Sequence, residues 1–284
     1  MTSSQIGAPD YDARIRRAQH LGALHPFAEE VLSFYRHLAT FQKRLYTQLS
    51  QHDDNQPVLG ANDGLRSELN LAVLLQYFPD LLALLQSVGP PPVIEAARQL
   101  SLQGPAAWIT FLTSYWSAGG NLKDSPAQEP AGATEALTEF ALKVFLQPYA
   151  EFMTVHRPPP PLEATQRVCP LCNSVPLLGV LRPEGDGGKR RLVCSFCLHE
   201  WDFRRILCPA CGEETENKLP VYVAEQFPHV RVEACDTCRY YIRTVDLTKD
   251  GHAVPIVDDL AAIPLSLWAH ERGYSRLQPN LLGT

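Results

Sequence analysis

Eight cysteines constrain this chain more than any other feature. All of them lie between residues 169 and 238 of a 284-residue sequence, and each belongs to a C-x-x-C pair: Cys169/Cys172, Cys194/Cys197, Cys208/Cys211 and Cys235/Cys238. Two thiolates three residues apart on a tight turn point at one cation, as a tetrahedral metal site requires. One such pair would not separate metal binding from a thioredoxin-like dithiol. Four in succession, beside a long cysteine-free half, read as metal ligands in a reducing compartment and not as a disulfide framework.

The pairs form a repeat of order A-B-A′-B′. The A pairs, Cys169-Pro-Leu-Cys172-Asn173 and Cys208-Pro-Ala-Cys211-Gly212, carry a proline inside the knuckle and Asn or Gly after it. Asn and Gly tolerate the left-handed conformation that turns following N–H groups back toward the sulfurs. The B pairs, Cys194-Ser-Phe-Cys197 and Cys235-Asp-Thr-Cys238, lack both features and lie between strand-like stretches, KRRLVC and VRVEAC before them, HEWDFRRIL and YYIRTVDL after. Each A–B unit therefore reads as knuckle, strand, turn, strand, knuckle, strand. Sequential pairing groups Cys169, Cys172, Cys194 and Cys197 in one site, and Cys208, Cys211, Cys235 and Cys238 in a second. A crossed or interleaved arrangement is the alternative. Four thiolates suit Zn²⁺ or a single iron, which tetrahedral sulfur geometry does not distinguish. Most such sites are closed and structural, and ribbons this small draw much of their folding free energy from the metal.

The remainder predicts an α+β protein of several domains. A hydrophobic share of 45%, with 20% charged residues and a net charge of -6, implies a packed core and weighs against a general phosphate-binding surface. Helical periodicity runs through Phe27, Val31, Phe34, Leu38, Phe41 and Leu45. An apolar stretch from Leu69 to Leu85 reads as a buried helix pair broken near Pro79, and further helices are expected over 93–103, 105–115 and 134–155, the last kinked or restarted at Pro148. The expected domains are a helical bundle over 1–157, a stiff proline linker over 158–161, a first metal ribbon over 162–207, a second over 208–250, and a closing helical tail over 251–284. No run reaches the roughly 20 apolar residues of a membrane span, so membrane insertion is not expected. The amino terminus lacks the apolar segment of a secretory signal, and a cytoplasmic location is expected.

Catalytic motifs are missing from the sequence: no H-E-x-x-H, G-x-S-x-G, Walker-type loop or dinucleotide-binding glycine pattern occurs. The reading is of a protein that is not an enzyme. His199, two residues past Cys197, is the histidine nearest a predicted site; it reads as a surface residue at a strand start. Lys189-Arg190-Arg191 and Arg204-Arg205 read as a solvated hairpin face, a nucleic-acid-binding zinc ribbon being the weaker alternative.

The stretches CPLCNSVP, LVCSFCLHEWDFRRILCPACGEE, VEACDTCRYYIRTVD and VDDLAAIPLSLWAHERGYSRL resemble the FdhE family of formate dehydrogenase accessory proteins, over about residues 165–280. The amino-terminal half matches only in length and helical character; the resemblance implies that the two tandem metal ribbons are rubredoxin-like, between the expected all-α amino-terminal bundle and carboxy-terminal helix. It also implies two mononuclear iron sites held by the eight cysteines, zinc being possible. The implied role is that of a cytoplasmic maturation factor that binds the catalytic subunit of a respiratory formate dehydrogenase before export. A redox protein that donates electrons or thiols to that enzyme is the alternative.

Overall fold

The computed structural model describes residues 7–51, 64–119, 133–156, 164–185 and 187–283. The expected proline linker, Pro158–Pro161, lies outside them. The chain divides into two compact units, one formed by Met1–Tyr11 and His37–Pro158, the other by Asp12–Arg36 and Pro159–Thr284. Residues 12–36 thus group with the cysteine-bearing half, an assignment that no local periodicity carries.

The first unit is helical. It holds α2 (Glu29–Gln51) from His37 onward, the short α3 (Leu71–Leu74), α4 (Phe78–Val88), α5 (Pro91–Ser117) and α6 (Ala133–Val155). Leu38, Phe41 and Leu45 on α2 are buried as their spacing predicts, whereas Phe27 sits in a preceding 3-10 turn and is exposed. Phe78 packs edge-on against Trp108 and Phe145, with ring centroids 5.5 and 4.9 Å away. The Gln42 amide donates to the Val144 carbonyl at 2.9 Å, joining α2 to α6. The break in the Leu71–Val88 stretch precedes Pro79, in a 3-10 turn at Leu75–Tyr77; Pro79 itself occupies the first turn of α4, where its missing N–H costs nothing. By length and composition this stretch would pass for a membrane-crossing helix. Leu74, Phe78, Leu81, Leu82 and Leu85 turn one stripe of it into the core. In α5, Gly104 adopts φ 76° and separates the two expected helices. The Trp108 indole donates to the Leu100 carbonyl across that break at 2.6 Å. Helix α6 continues through Pro148 as one element.

The second unit is a seven-stranded sheet with helices. Its strands are β1 (Pro176–Glu184), β2 (Gly187–Cys194), β3 (Glu200–Asp202), β4 (Val221–Ala224), β5 (Phe227–Ala234), β6 (Tyr240–Asp246) and β7 (Ser275–Arg276), in the order β3-β2-β1-β6-β5-β4 with β7 also on β6. Each ribbon contributes three strands with antiparallel neighbours. The two ribbons are not separate beads: parallel pairing of β1 with β6 merges them into one sheet. At that seam Gly179 faces Thr244, and a Cβ on Gly179 would lie 2.3 Å from the Thr244 hydroxyl oxygen, so the join requires glycine.

Alternation along the strands separates the two faces. Leu178, Val180, Val193, Val230, Val232 and Val245 are buried, and Ile256 packs against the β1–β2 part of this apolar layer. Helices α7 (Pro255–Ala261) and α8 (Ile263–Glu271) follow the second ribbon, with the ring of Trp268 on α8 tilted against that of Tyr222 on β4, centroids 4.6 Å apart. The acidic pair Asp258-Asp259 lies inside α7 and is fully buried. Asp259 accepts from Arg243 on β6 at 2.8 Å, from Arg276 on β7 at 2.7 Å and from Asn280 at 3.0 Å. Asp258 accepts from Arg17 on α1 (Tyr11–Leu24) and, with Asp250, holds that helix to the sheet unit. Asp258 lies in the first turn of α7 and also accepts from the Val254 N–H at that helix's start, where the dipole favours a carboxylate.

Candidate metal centres

The four knuckles share one local geometry. In each, the N–H of the first cysteine donates to the carbonyl five residues later: Cys169 to Ser174, Cys194 to His199, Cys208 to Glu213 and Cys235 to Tyr240, at 2.8–2.9 Å. The residue after the second cysteine adopts positive φ in every case, 59° at Asn173, 55° at Leu198, 84° at Gly212 and 61° at Arg239. Asn and Gly signal this turn in the A knuckles. In the B knuckles Leu198 and Arg239 take the same conformation at a cost of about 1 kcal/mol or more, which the surrounding sheet must sustain.

The turns bring the sulfurs together in sequential groups. Cys169, Cys172, Cys194 and Cys197 form one cluster, Cys208, Cys211, Cys235 and Cys238 the other, with all ligand atoms of a cluster within 4.8 Å of one another. In the first, Cys172 Sγ lies 3.3 Å from Cys194 Sγ and 3.6 Å from Cys197 Sγ, and Cys169 Sγ lies 3.6 Å from Cys197 Sγ. In the second, Cys208–Cys238 and Cys211–Cys235 are 3.8 and 3.7 Å apart. Metal–sulfur bonds of about 2.3 Å at tetrahedral angles give an edge of about 3.8 Å. The donor set thus fits a four-coordinate thiolate-bound ion with little adjustment, and the distances are far from the ~2.05 Å of a disulfide. All eight cysteines are free.

The thiols of each cluster perturb one another strongly. Contacts from Cys169, Cys194 and Cys197 draw the Cys172 thiol below its ordinary value, against its burial. Burial, with the neighbouring sulfurs, pushes Cys169 and Cys197 up. In the second cluster burial pushes Cys208 and Cys238 up; at Cys235 burial acts the same way but the N–H groups of Cys238 and Thr237 outweigh it and lower the thiol. Four thiolates repel one another unless a cation replaces the retained protons, so metal uptake should release protons.

The clusters differ in their surroundings. The first is buried at all four cysteines, whereas Cys211 is exposed and Cys238 half-buried in the second. Around the first, the N–H groups of Phe196 and Cys197 point at Cys194 Sγ at 3.3 and 3.4 Å, the Ser174 hydroxyl lies 3.3 Å from Cys172 Sγ, and the buried Trp201 donates from its indole to the Gln166 carbonyl. Around the second, Glu213 accepts from the Thr237 hydroxyl and from the backbone of Thr215, which staples one knuckle to the other. Thr215 and Thr237 together lower the Glu213 carboxyl to about 2. Tyr274 donates to Asp236 at 2.6 Å beneath the Arg239 guanidinium, and the Ser275 N–H bonds the Arg239 carbonyl, so the carboxy-terminal segment clamps the fourth knuckle. Sequence reasoning missed this bracing, because Tyr274 is far from the cysteines along the chain.

Other expected groups fall differently. His199 is 4% exposed instead of lying at the surface, and among the described residues neither ring nitrogen has a hydrogen-bond partner; burial lowers its basicity. The Lys189-Arg190-Arg191 run is not a uniform solvated face. Alternation turns Arg190 inward, where it pairs with Glu233 at 2.6 Å, while Lys189 and Arg191 pair with Asp202 and Arg204 with Glu214. In a third group of potential ligands, His229, Asp250 and Asp258, both carboxylates pair with the Arg17 guanidinium, which supplies the counter-charge, and His229 meets Asp258.

The fold and its two tetrathiolate clusters define a metal-binding ribbon protein of the α+β class. Comparison with known proteins gives a more specific result. The FdhE central-domain model matches residues 168–205, and the FdhE C-terminal-domain model matches residues 206–282. An FdhE homologue of Aquifex aeolicus is 26% identical over 271 residues, covering 91% of this chain and 90% of the relative. A Pseudomonas aeruginosa homologue is 36% identical over 126 residues, covering 42% of this chain and 40% of the relative. The crystal structure of the FdhE protein from Pseudomonas aeruginosa superposes with a TM-score of 0.64 at 26% identity, covering 97% of each chain. The chain belongs to the FdhE family.

Proposed function

We propose that this chain is a cytoplasmic accessory protein that binds the catalytic subunit of a respiratory formate dehydrogenase and serves its assembly or activation. The observation that carries the reading is the pair of four-cysteine clusters built into one sheet in a member of the FdhE family. The sheet seam and the ion pairs of Asp258 and Asp259 hold the ribbons rigid, and rigid surfaces bind a partner at a lower ordering cost. Each cluster would hold one iron through its four cysteines, with zinc the competing occupant. When bound, iron supplies a one-electron valence change; the cysteines and their N–H partners hold it in place.

Co-purification tests this reading. The tagged chain, recovered from the cytoplasmic fraction of its host, should bring down the formate dehydrogenase catalytic subunit and contain two metal ions per chain. Cells lacking the chain should lose formate dehydrogenase activity and regain it on complementation. Full activity without the chain, or no association with the subunit, would refute the proposal.

The redox alternative draws support from one observation, the exposure of Cys211 beside half-buried Cys238. Electron exchange favours a site near the surface. Reversible bleaching of the thiolate absorption by dithionite, coupled to activation of the enzyme, is its expected signature. Activation by a chain loaded only with redox-inert zinc would eliminate it.

A further inference from the structure

The face of the sheet opposite α7 and α8 is built unlike an apolar core layer. Strand register places Val221 opposite Glu233 and Val223 opposite Arg231, so these four side chains share that face. Strand β4 is the last in the sheet, and among the described residues no strand pairs with its outer edge. Val221 and Val223 are 52% and 63% exposed, although alternating valines ordinarily mark a covered surface.

Beside them lies a cavity of about 60 Å³, lined by Arg190, Arg205, Arg231, Glu233, Val221 and Tyr240 among others. That is room for one side-chain carboxylate with a few waters. Its charge is the reverse of the chain's. Three guanidinium groups face one carboxylate, in a protein of net charge -6. Glu233 accepts from both Arg190 and Arg231. Arg190 is 3% exposed, yet among the described residues its Nε has no hydrogen-bond partner. Exposed Arg205 bonds only a backbone carbonyl, that of Gly188, among its described partners. The other Arg190 nitrogens are satisfied by Glu233 and by the Arg204 and Leu207 carbonyls; a buried Nε beside the exposed Arg205 guanidinium favours an incoming anion.

We propose that β4 and this pocket form a docking site for an extended segment of a partner protein, one that adds as a strand to the open edge and places an acidic side chain among the arginines. Edge addition supplies main-chain hydrogen bonds, and alternating side chains supply selectivity. Apolar residues of the incoming segment cover Val221 and Val223, and its carboxylate pairs with Arg190 and Arg205. Cys208 and Cys235 line the same pocket, so the docked segment lies against the second cluster. The identity of the partner rests on the function proposed above; the site does not.

The test uses the full metal-loaded chain and a fluorescein-labelled ten-residue peptide of alternating valine and glutamate, with a valine–lysine counterpart. The glutamate peptide should bind, more weakly as salt is raised, and the lysine peptide should not. Val223→Lys and Arg205→Glu, both at exposed positions, should each weaken binding by about tenfold or more while leaving metal content and melting temperature unchanged. Arg231→Gln should do the same as a separate probe of the pocket. Equal binding of both peptides, no binding, or unaltered variants would overturn the site. So would acetate displacing the peptide at equal concentration, which would mark a pocket for free carboxylates. A concentration-dependent dimer abolished by Val223→Lys would instead assign the edge to a second copy of the chain. The catalytic subunit separates site from function: if it binds wild type and Val223→Lys equally, the site fails and the proposed function stands. If the peptide binds while the subunit does not, the reverse holds.

Discussion

Paired cysteine substitutions test the central geometry most directly. Cys172→Ser with Cys194→Ser removes two sulfurs from one cluster, whereas Cys172→Ser with Cys208→Ser removes one from each. Structural zinc contributes about 10–16 kcal/mol in small four-ligand sites, or roughly 2.5–4 kcal/mol per ligand, so each lost thiolate should weaken its site by roughly 100- to 1000-fold. Because the sulfur–sulfur distances of 3.3–3.8 Å already match the tetrahedral edge, reorganisation should absorb little of this loss. The assay is metal content per chain after equilibration with a chelator that wild type resists. The first double variant should retain one ion per chain and the second should approach none. Interleaved ligation, with alternate knuckles sharing an ion, would exchange these outcomes, and pairing of outer with outer and inner with inner knuckles would strip both variants; either result would refute the arrangement. The clusters should also differ in stability. Cys172→Ser buries a hydroxyl in a closed site at a further ~1–3 kcal/mol, a cost that Cys211→Ser escapes because Cys211 is exposed.

Three further outcomes follow from the sheet unit. Asp259→Asn leaves the buried Arg243 and the nearly buried Arg276 without their counter-charge, and should cost about 3–5 kcal/mol in a denaturant titration; a change below about 0.5 kcal/mol would remove the pair from the account of stability. The pH dependence has a definite sign: burial raises the Asp259 carboxyl, but Arg243 and Arg276 outweigh it and hold it below its ordinary value. Its contribution is therefore full above about pH 5 and is lost as pH falls below about 4, so the stability gap between wild type and Asp259→Asn should close in acid. Gly179→Val would drive a side chain into Thr244 at the β1–β6 seam and should destabilise by about 1–3 kcal/mol or more, seen as a lowered melting temperature, whereas Gly187→Ala, with open space at its Cβ, should change little.

Much of the metal chemistry is local, and so it was legible from spacing. A C-x-x-C turn is set by its own few residues, and Asn173 and Gly212 announce the left-handed position that closes it. Leu198 and Arg239 occupy the same position without announcing it, because there the flanking strands hold the backbone where propensity would not. The helices of the first unit followed the 3.6-residue period, down to the interruption at Gly104, since periodicity is also a local property.

What remained hidden depends on partners distant in sequence. Nothing near Gly179 indicates that it will meet Thr244, and nothing in the α1 sequence says that Arg17 will pair with Asp258. Arg190 stands in a basic run that reads as solvated, yet strand alternation turns it toward Glu233, 43 positions away in numbering only a fold can close. His199 reads as exposed but is buried for the same reason: composition assigns polar groups to water, while burial is decided by tertiary packing. Ligand spacing is written along the chain, so the atoms able to grip two metal ions are a local property of eight cysteines. That the two grips share one sheet, with one cluster closed and the other near the surface, follows from burial and charge pairing between segments that meet in space.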